Sequence, residues 1–117
     1  MKIRWLDDVV DKDYKAALAY LTLRLDAKRA GETVRKLRHV EIARYRANDI
    51  LRAAGLQPAP RDDPAVVKNL EKIRCRNHLS PVLLMNLWAG LEIADGYHRI
   101  STVYYVDPDA MVPGRLA

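Results

Sequence analysis

The chain contains no phenylalanine and a single cysteine, Cys75, among its 117 residues. One cysteine excludes an internal disulfide and any cysteine-based zinc cluster. Without Phe, the core must be built from Leu, Val, Ile and Ala, helped by six Tyr and two Trp. No apolar run approaches the roughly 20 residues needed to span a bilayer. The start, Met1-Lys2-Ile3-Arg4-Trp5, turns acidic at Asp7-Asp8 instead of running into an apolar stretch. That is not the pattern of a secretory leader, and a cytoplasmic protein without a membrane partner is expected.

What is present is globular in character: half of the residues are hydrophobic and 30% are charged. The length suits one domain with one core. The net charge of +5 is concentrated between Arg24 and Arg52, where nine Lys/Arg (Arg24, Lys28, Arg29, Arg35, Lys36, Arg38, Arg44, Arg46, Arg52) face four acids (Asp26, Glu32, Glu41, Asp49). A basic segment of this kind could meet a polyanion. Only one aromatic, Tyr45, interleaves with it, where a single-strand binder requires several, and a solvated helix face is the reading preferred.

Along the chain, Met1 to Val10 reads as an extended arm anchored by Trp5 and Leu6. Asp13 is placed to cap a helix carrying Tyr14, Ala17, Leu18, Leu21 and Leu25 on one face. Asp26 is placed to cap a second, with Ala27, Ala30, Val34 and Leu37 inward. Glu41 to Arg46 reads as a short strand, and Ile50-Leu51 as a helical turn stopped by Gly55. Gln57-Pro58-Ala59-Pro60 is an extended connector. Asp63-Pro64 starts a helix, with Val66, Val67, Leu70 and Ile73 as its buried stripe. Cys75 reads as a small packing residue. Leu79 to Met85 is the most apolar run and reads as a buried strand, returning through a turn at Asn86–Gly90 into Leu91–Ala94. A helix from Gly96 to about Val106 follows, then a strand from Met111 to Leu116, with Pro113 favouring an edge or a bend.

The stretch Leu91-Glu92-Ile93-Ala94-Asp95-Gly96-Tyr97-His98-Arg99-Ile100 carries the functional signal. It combines a strand end, a tight Asp-Gly turn and the first turn of a helix. His98 and Arg99 fall at the positive end of that helix's dipole, where cations are disfavoured. Free N–H groups, a glycine permitting close approach and two cationic or hydrogen-bonding side chains suit an anion, above all a phosphate. The plain alternative makes Asp95 the helix cap and leaves His98 and Arg99 in water.

The order of elements, with "LSPVLL", "LEIADGYHR" and "VPGRL", resembles the ParB/sulfiredoxin superfamily over roughly residues 41–116, and within it small stand-alone bacterial ParB-like proteins. The resemblance implies an α+β fold: a small mixed sheet with flanking helices, preceded by an N-terminal helical hairpin. Residues 1–117 would form a single domain, with 1–40 as helical extension and 41–117 as the ParB-like module. In sulfiredoxins the catalytic cysteine stands where this chain has Tyr97, and a phenol cannot replace that thiolate. In chromosome-partitioning ParB proteins, which bind and hydrolyse CTP, Gly is followed by Glu and two Arg; Gly96 and Arg99 fit, His98 departs conservatively, and Tyr97 replaces the Glu. Free serine kinases of the superfamily carry Asp-Gly-x-His-Arg, matched by Asp95, Gly96, His98 and Arg99.

The resemblance thus implies a nucleotide or phosphate site at Asp95, Gly96, Tyr97, His98 and Arg99. Nucleotide hydrolysis or phosphotransfer is the implied activity, and Mg²⁺ with a nucleoside triphosphate the implied cofactor, Asp95 being either metal-holding or a helix cap. No general base is marked, because Glu41, Glu71 and Glu92 have no distinguishing context. Two alternatives stay open. One is a non-catalytic interaction module using the N-terminal helices for a homodimer or a protein partner. The other is a weak DNA-associated accessory factor, without sequence preference because no recognition helix is evident.

Overall fold

In the computed structural model, which describes residues 1–117, the N-terminal arm forms a short strand, β1 (Arg4–Trp5). Two helices follow, α1 (Asp11–Leu21) and α2 (Ala27–Leu37). The Asp26 carboxylate caps α2, accepting the Arg29 N–H at 2.9 Å. Then come β2 (Ile42–Arg46) and α3 (Ala47–Ala54), which ends at Gly55 as expected. The second half runs α4 (Pro64–Arg74), β3 (His78–Leu79), β4 (Val82–Leu87), β5 (Gly90–Asp95), α5 (Tyr97–Val106) and β6 (Met111–Leu116). The fold is α+β, and none of its helices is long and apolar enough to cross a membrane.

Four strands form a mixed sheet in the order β2-β6-β4-β5, while β1 and β3 pair in parallel beside it. The β2–β6 and β4–β5 pairings are antiparallel, and β6–β4 is parallel. Helices cover both faces, so the apolar run of β4 is buried on both sides. Leu83 joins Ala94 and the residues of α1 and α2 (Tyr14, Ala17, Leu21, Ala30, Val34, Leu37) in one cluster. Val82 and Leu84 join Ile93, Val112 and the residues of α3 and α5 (Ile50, Leu51, Ile100, Val103) in the other. The N-terminal helices therefore share a core with the sheet. Aliphatic side chains of moderate size fill both clusters, as the absence of Phe requires.

The connector before α4 is fastened to α5. Tyr97 Oη donates to the Gln57 carbonyl at 2.7 Å, Tyr105 Oη donates to the Ala59 carbonyl at 2.6 Å, and the Ala59 N–H donates to Ser101 Oγ at 2.9 Å. At α4 the Asp63 carboxylate accepts the Ala65 N–H at 2.8 Å, with Pro64 in the first helical position.

Several expectations need correcting. Asp13 does not cap α1: the N-cap is Val10, and Asp13 lies inside the first turn, buried. Leu18 and Val67 are on exposed faces. Cys75 is the exposed C-cap of α4 and not a packing residue, with Sγ 3.5 Å from Glu71 Oε1. The apolar run is two strands, β3 and β4, separated by Ser80-Pro81. β6, with Pro113, is an interior strand. Pairing to β4 begins only at Gly114, so Pro113 sits where β2 is the sole neighbour and its missing N–H is tolerated.

At Gly114 the parallel strands approach closely: an added Cβ would lie 2.9 Å from Val82 Cγ2 and 3.1 Å from the Val82 carbonyl oxygen. The carbonyl is backbone and cannot rotate away. Gly114→Ala is expected to destabilise by about 1–3 kcal/mol, the usual scale of overpacking, measured by urea denaturation.

Candidate functional site

The first turns of α1 and α5 open on one hollow of about 340 Å³, bounded further by β3 and α4. Neither helix has a side-chain cap. Their first N–H groups have no acceptor within the helix, so two positive helix ends face the same space. The chain enters α5 through Gly96 at φ 112°, a conformation open to glycine; a Cβ there would also meet Val82 Cγ1 at 2.5 Å. Asp95 does not cap α5, whose N-cap is Gly96.

Arg99 is the centre of the wall. Nη1 donates to Asp13 Oδ2 at 2.7 Å and to the Ser80 carbonyl at 2.9 Å, and Nη2 donates to Asp95 Oδ2 at 2.7 Å. Its side chain is 14% exposed, with Asp13 and Asp95 at 12% and 21%. The cation that looked misplaced at the positive end of α5 is thus held by two carboxylates and a carbonyl. The Val10 N–H donates to Ser80 Oγ at 3.1 Å, tying the start of α1 to the same junction.

Two carboxylates against one guanidinium leave an excess negative charge in a poorly hydrated place. Burial pushes the Asp95 carboxyl above its ordinary value; Arg99 opposes the rise, and the neighbouring Asp13 adds to it.

The sequence-derived residues Asp95, Gly96, Tyr97, His98 and Arg99 all border the hollow. Tyr97 uses its hydroxyl on the Gln57 carbonyl, and its ring meets His98 edge-on with centroids 5.3 Å apart. His98 Nε2 stands 3.6 Å from Asp63 Oδ2. Sequence reasoning missed Lys12, Asp13, Lys72 and His78, which border the same hollow from α1, α4 and β3. Each comes from a distant segment, and nothing local distinguishes any of them. Lys12 and Lys72 take no part in the site's ion pairs, which are His98–Asp63, Arg99–Asp13 and Arg99–Asp95. The lining therefore presents four basic side chains, Lys12, Lys72, His78 and His98, in front of a cluster that Arg99 holds together.

The basic segment from Arg24 to Arg52 is less concentrated than its composition suggests. Four of its nine cations pair with carboxylates: Arg24 with Glu92, Arg38 with Asp11, Arg46 with Asp49 and Asp109, and Arg52 with Asp49.

Two outcomes follow from the Arg99 cluster. Arg99→Ala leaves two carboxylates buried without their partner and is expected to cost about 3–5 kcal/mol, read from chemical denaturation at neutral pH. Asp95→Asn carries the opposite expectation for pH dependence. A raised carboxyl pKa means the native state binds the proton more readily than the unfolded chain. This group's contribution to stability therefore falls as pH rises from the ordinary 3.8 through the elevated value. The melting temperature of Asp95→Asn minus that of the parent should rise between acidic and neutral pH; a difference independent of pH contradicts the burial effect.

No family model matches the chain, nor does any curated protein or solved structure.

Proposed function

We propose that the protein is a ParB-like domain that binds a phosphate-containing ligand, with a nucleotide as the fitting class, in the hollow between α1 and α5. The observation that carries this reading is the convergence there of two uncapped helix N-termini with Lys12, Lys72, His78 and His98. Helix-start N–H groups and basic side chains around one concavity are what a phosphate requires. The strand–glycine–helix junction of Asp95-Gly96-Tyr97-His98-Arg99 and the mixed sheet support the superfamily resemblance.

Arg99 takes a different part from the one the motif suggests. Its guanidinium is committed to Asp13 and Asp95, so the anion is met by the lysines, the histidines and the α5 backbone, while Arg99 positions the turn. No group of three His, Cys, Asp or Glu side chains is arranged to hold a metal. A Mg²⁺ brought in by a nucleotide would be met on the protein by Asp95 and would offset phosphate charge.

A second reading, a non-catalytic interaction module, is favoured by one observation, on a surface other than the N-terminal helices expected to serve it. Trp88, at the tip of the β4–β5 hairpin, is fully exposed beside an apolar hollow bordered by Tyr45, Leu87 and Leu116. Uncovered aromatic surface next to an apolar depression is typical of protein contacts.

The deciding experiment is a thermal-shift and calorimetric screen of inorganic phosphate and nucleoside mono-, di- and triphosphates, with and without Mg²⁺. A ligand at one hundred times its dissociation constant should stabilise by about 2.7 kcal/mol. Lys72→Ala should weaken binding by about tenfold (~1.4 kcal/mol) while leaving the melting temperature without ligand unchanged. A protein unmoved by every phosphate compound overturns the binding reading and leaves the interaction module.

A further inference from the structure

A second hollow, of about 700 Å³, neighbours the one at the start of α5: Asp95, Gly96, Tyr97 and His98 border both. One row of α1 runs along the pair: Lys12 beside the first, then Ala16 and Tyr20 beside the second, with Arg24 just past the end of the helix. A spacing of four keeps the three helical residues on one face, over about 12 Å at ~1.5 Å per residue. The facing wall is β5, the terminal strand of the sheet. Leu91 to Gly96 border the second hollow consecutively. A sheet face would present only alternate residues, so the trough follows the open edge of the strand.

The two hollows differ in chemistry. The first gathers basic side chains and helix N-termini. The second is bordered mainly by apolar groups, and two of the molecule's exposed large apolar side chains, Leu56 at 45% and Tyr20 at 37%, stand on it. Both of its acids are paired: Tyr20 Oη donates to Glu92 Oε1 and Arg24 Nη2 lies 3.1 Å from Glu92 Oε2, while Asp95 Oδ2 accepts from Arg99 Nη2 at 2.7 Å. A charged end and a neutral, apolar body, meeting at Gly96 and Tyr97, describe one ligand with two parts. A volume in the usual range for small-molecule sites accommodates the body.

We infer that the trough along α1 holds the organic part of the phosphate ester whose head occupies the first hollow, and that this part is an apolar ring system. The assignment rests on the phosphate-binding reading and extends it from a head group to a class of ester. It gives α1 a double role, with Lys12 at the phosphate and Ala16 and Tyr20 along the body.

Calorimetry on the full chain at constant ionic strength tests it with four probes: inorganic phosphate, glycerol 3-phosphate, 1-naphthyl phosphate and 1-naphthol. The expected result is 1-naphthyl phosphate at least about tenfold tighter (~1.4 kcal/mol) than the other three. Ala16→Trp, on an exposed face of α1, fills the trough and should remove that advantage while leaving the affinity for inorganic phosphate intact. Leu56→Asp should do the same and serves if the tryptophan variant does not fold. Inorganic and naphthyl phosphate binding equally would overturn the trough assignment and leave the phosphate site standing. 1-Naphthol binding as tightly as its ester would overturn it too, since the two hollows would not act on one ligand. Failure of every phosphate compound to bind would remove both readings.

Discussion

Asp13, Arg99 and Asp95 form the contact on which the rest of the molecule depends. Arg99 is fixed by α5, Asp95 by the end of β5, Asp13 by α1, and the Ser80 carbonyl by the junction before β4. One guanidinium thereby joins the N-terminal helices, the sheet and the helix that follows it. Such a cluster gives little net stability, because removing three charges from water offsets most of their attraction. What it does is determine geometry. It sets the two helix starts on one hollow, which Lys12, Lys72, His78 and His98 also border.

The double-sided sheet makes that geometry rigid. Because β4 alternates its residues between the α1/α2 cluster and the α3/α5 cluster, a shift of one residue would send Val82 and Leu84 to the wrong side. Gly96 and Gly114 both lie against Val82. The same valine thus limits the approach of β6 and the entry into α5, which links the sheet's interior spacing to the floor of the hollow.

Much of the local structure was legible in the chain. Caps at Asp26 and Asp63, the stop at Gly55, the proline connector and the glycine at the strand–helix junction each act through neighbours a few residues away, and each was found. The errors share a cause. Asp13 looks like a cap until Arg99, 86 positions later, is brought beside it. Pro113 marks an edge only for its own position, because β4 joins the other side of β6 from Gly114 onward. Lys12, Lys72 and His78 carry no local sign of their place, because only the tertiary arrangement puts them together. The motif around Gly96 located the hollow, while the role of Arg99 within it depended on a partner outside the motif.

The position of β6 bears on the order in which the molecule assembles. It joins β2 to the β4–β5 hairpin, yet it comes after all five helices in the chain. Until that segment arrives, β2 and the hairpin are two unjoined pieces with open edges, the kind of transient surface that invites pairing with other chains. Arg115 on β6 also reaches Asp8, 107 positions earlier, so arrival of β6 draws the N-terminal arm in at the same step. Closure through such distant contacts is slow relative to helix formation. Folding should therefore be governed by a single late insertion event, with helices formed early and waiting on it.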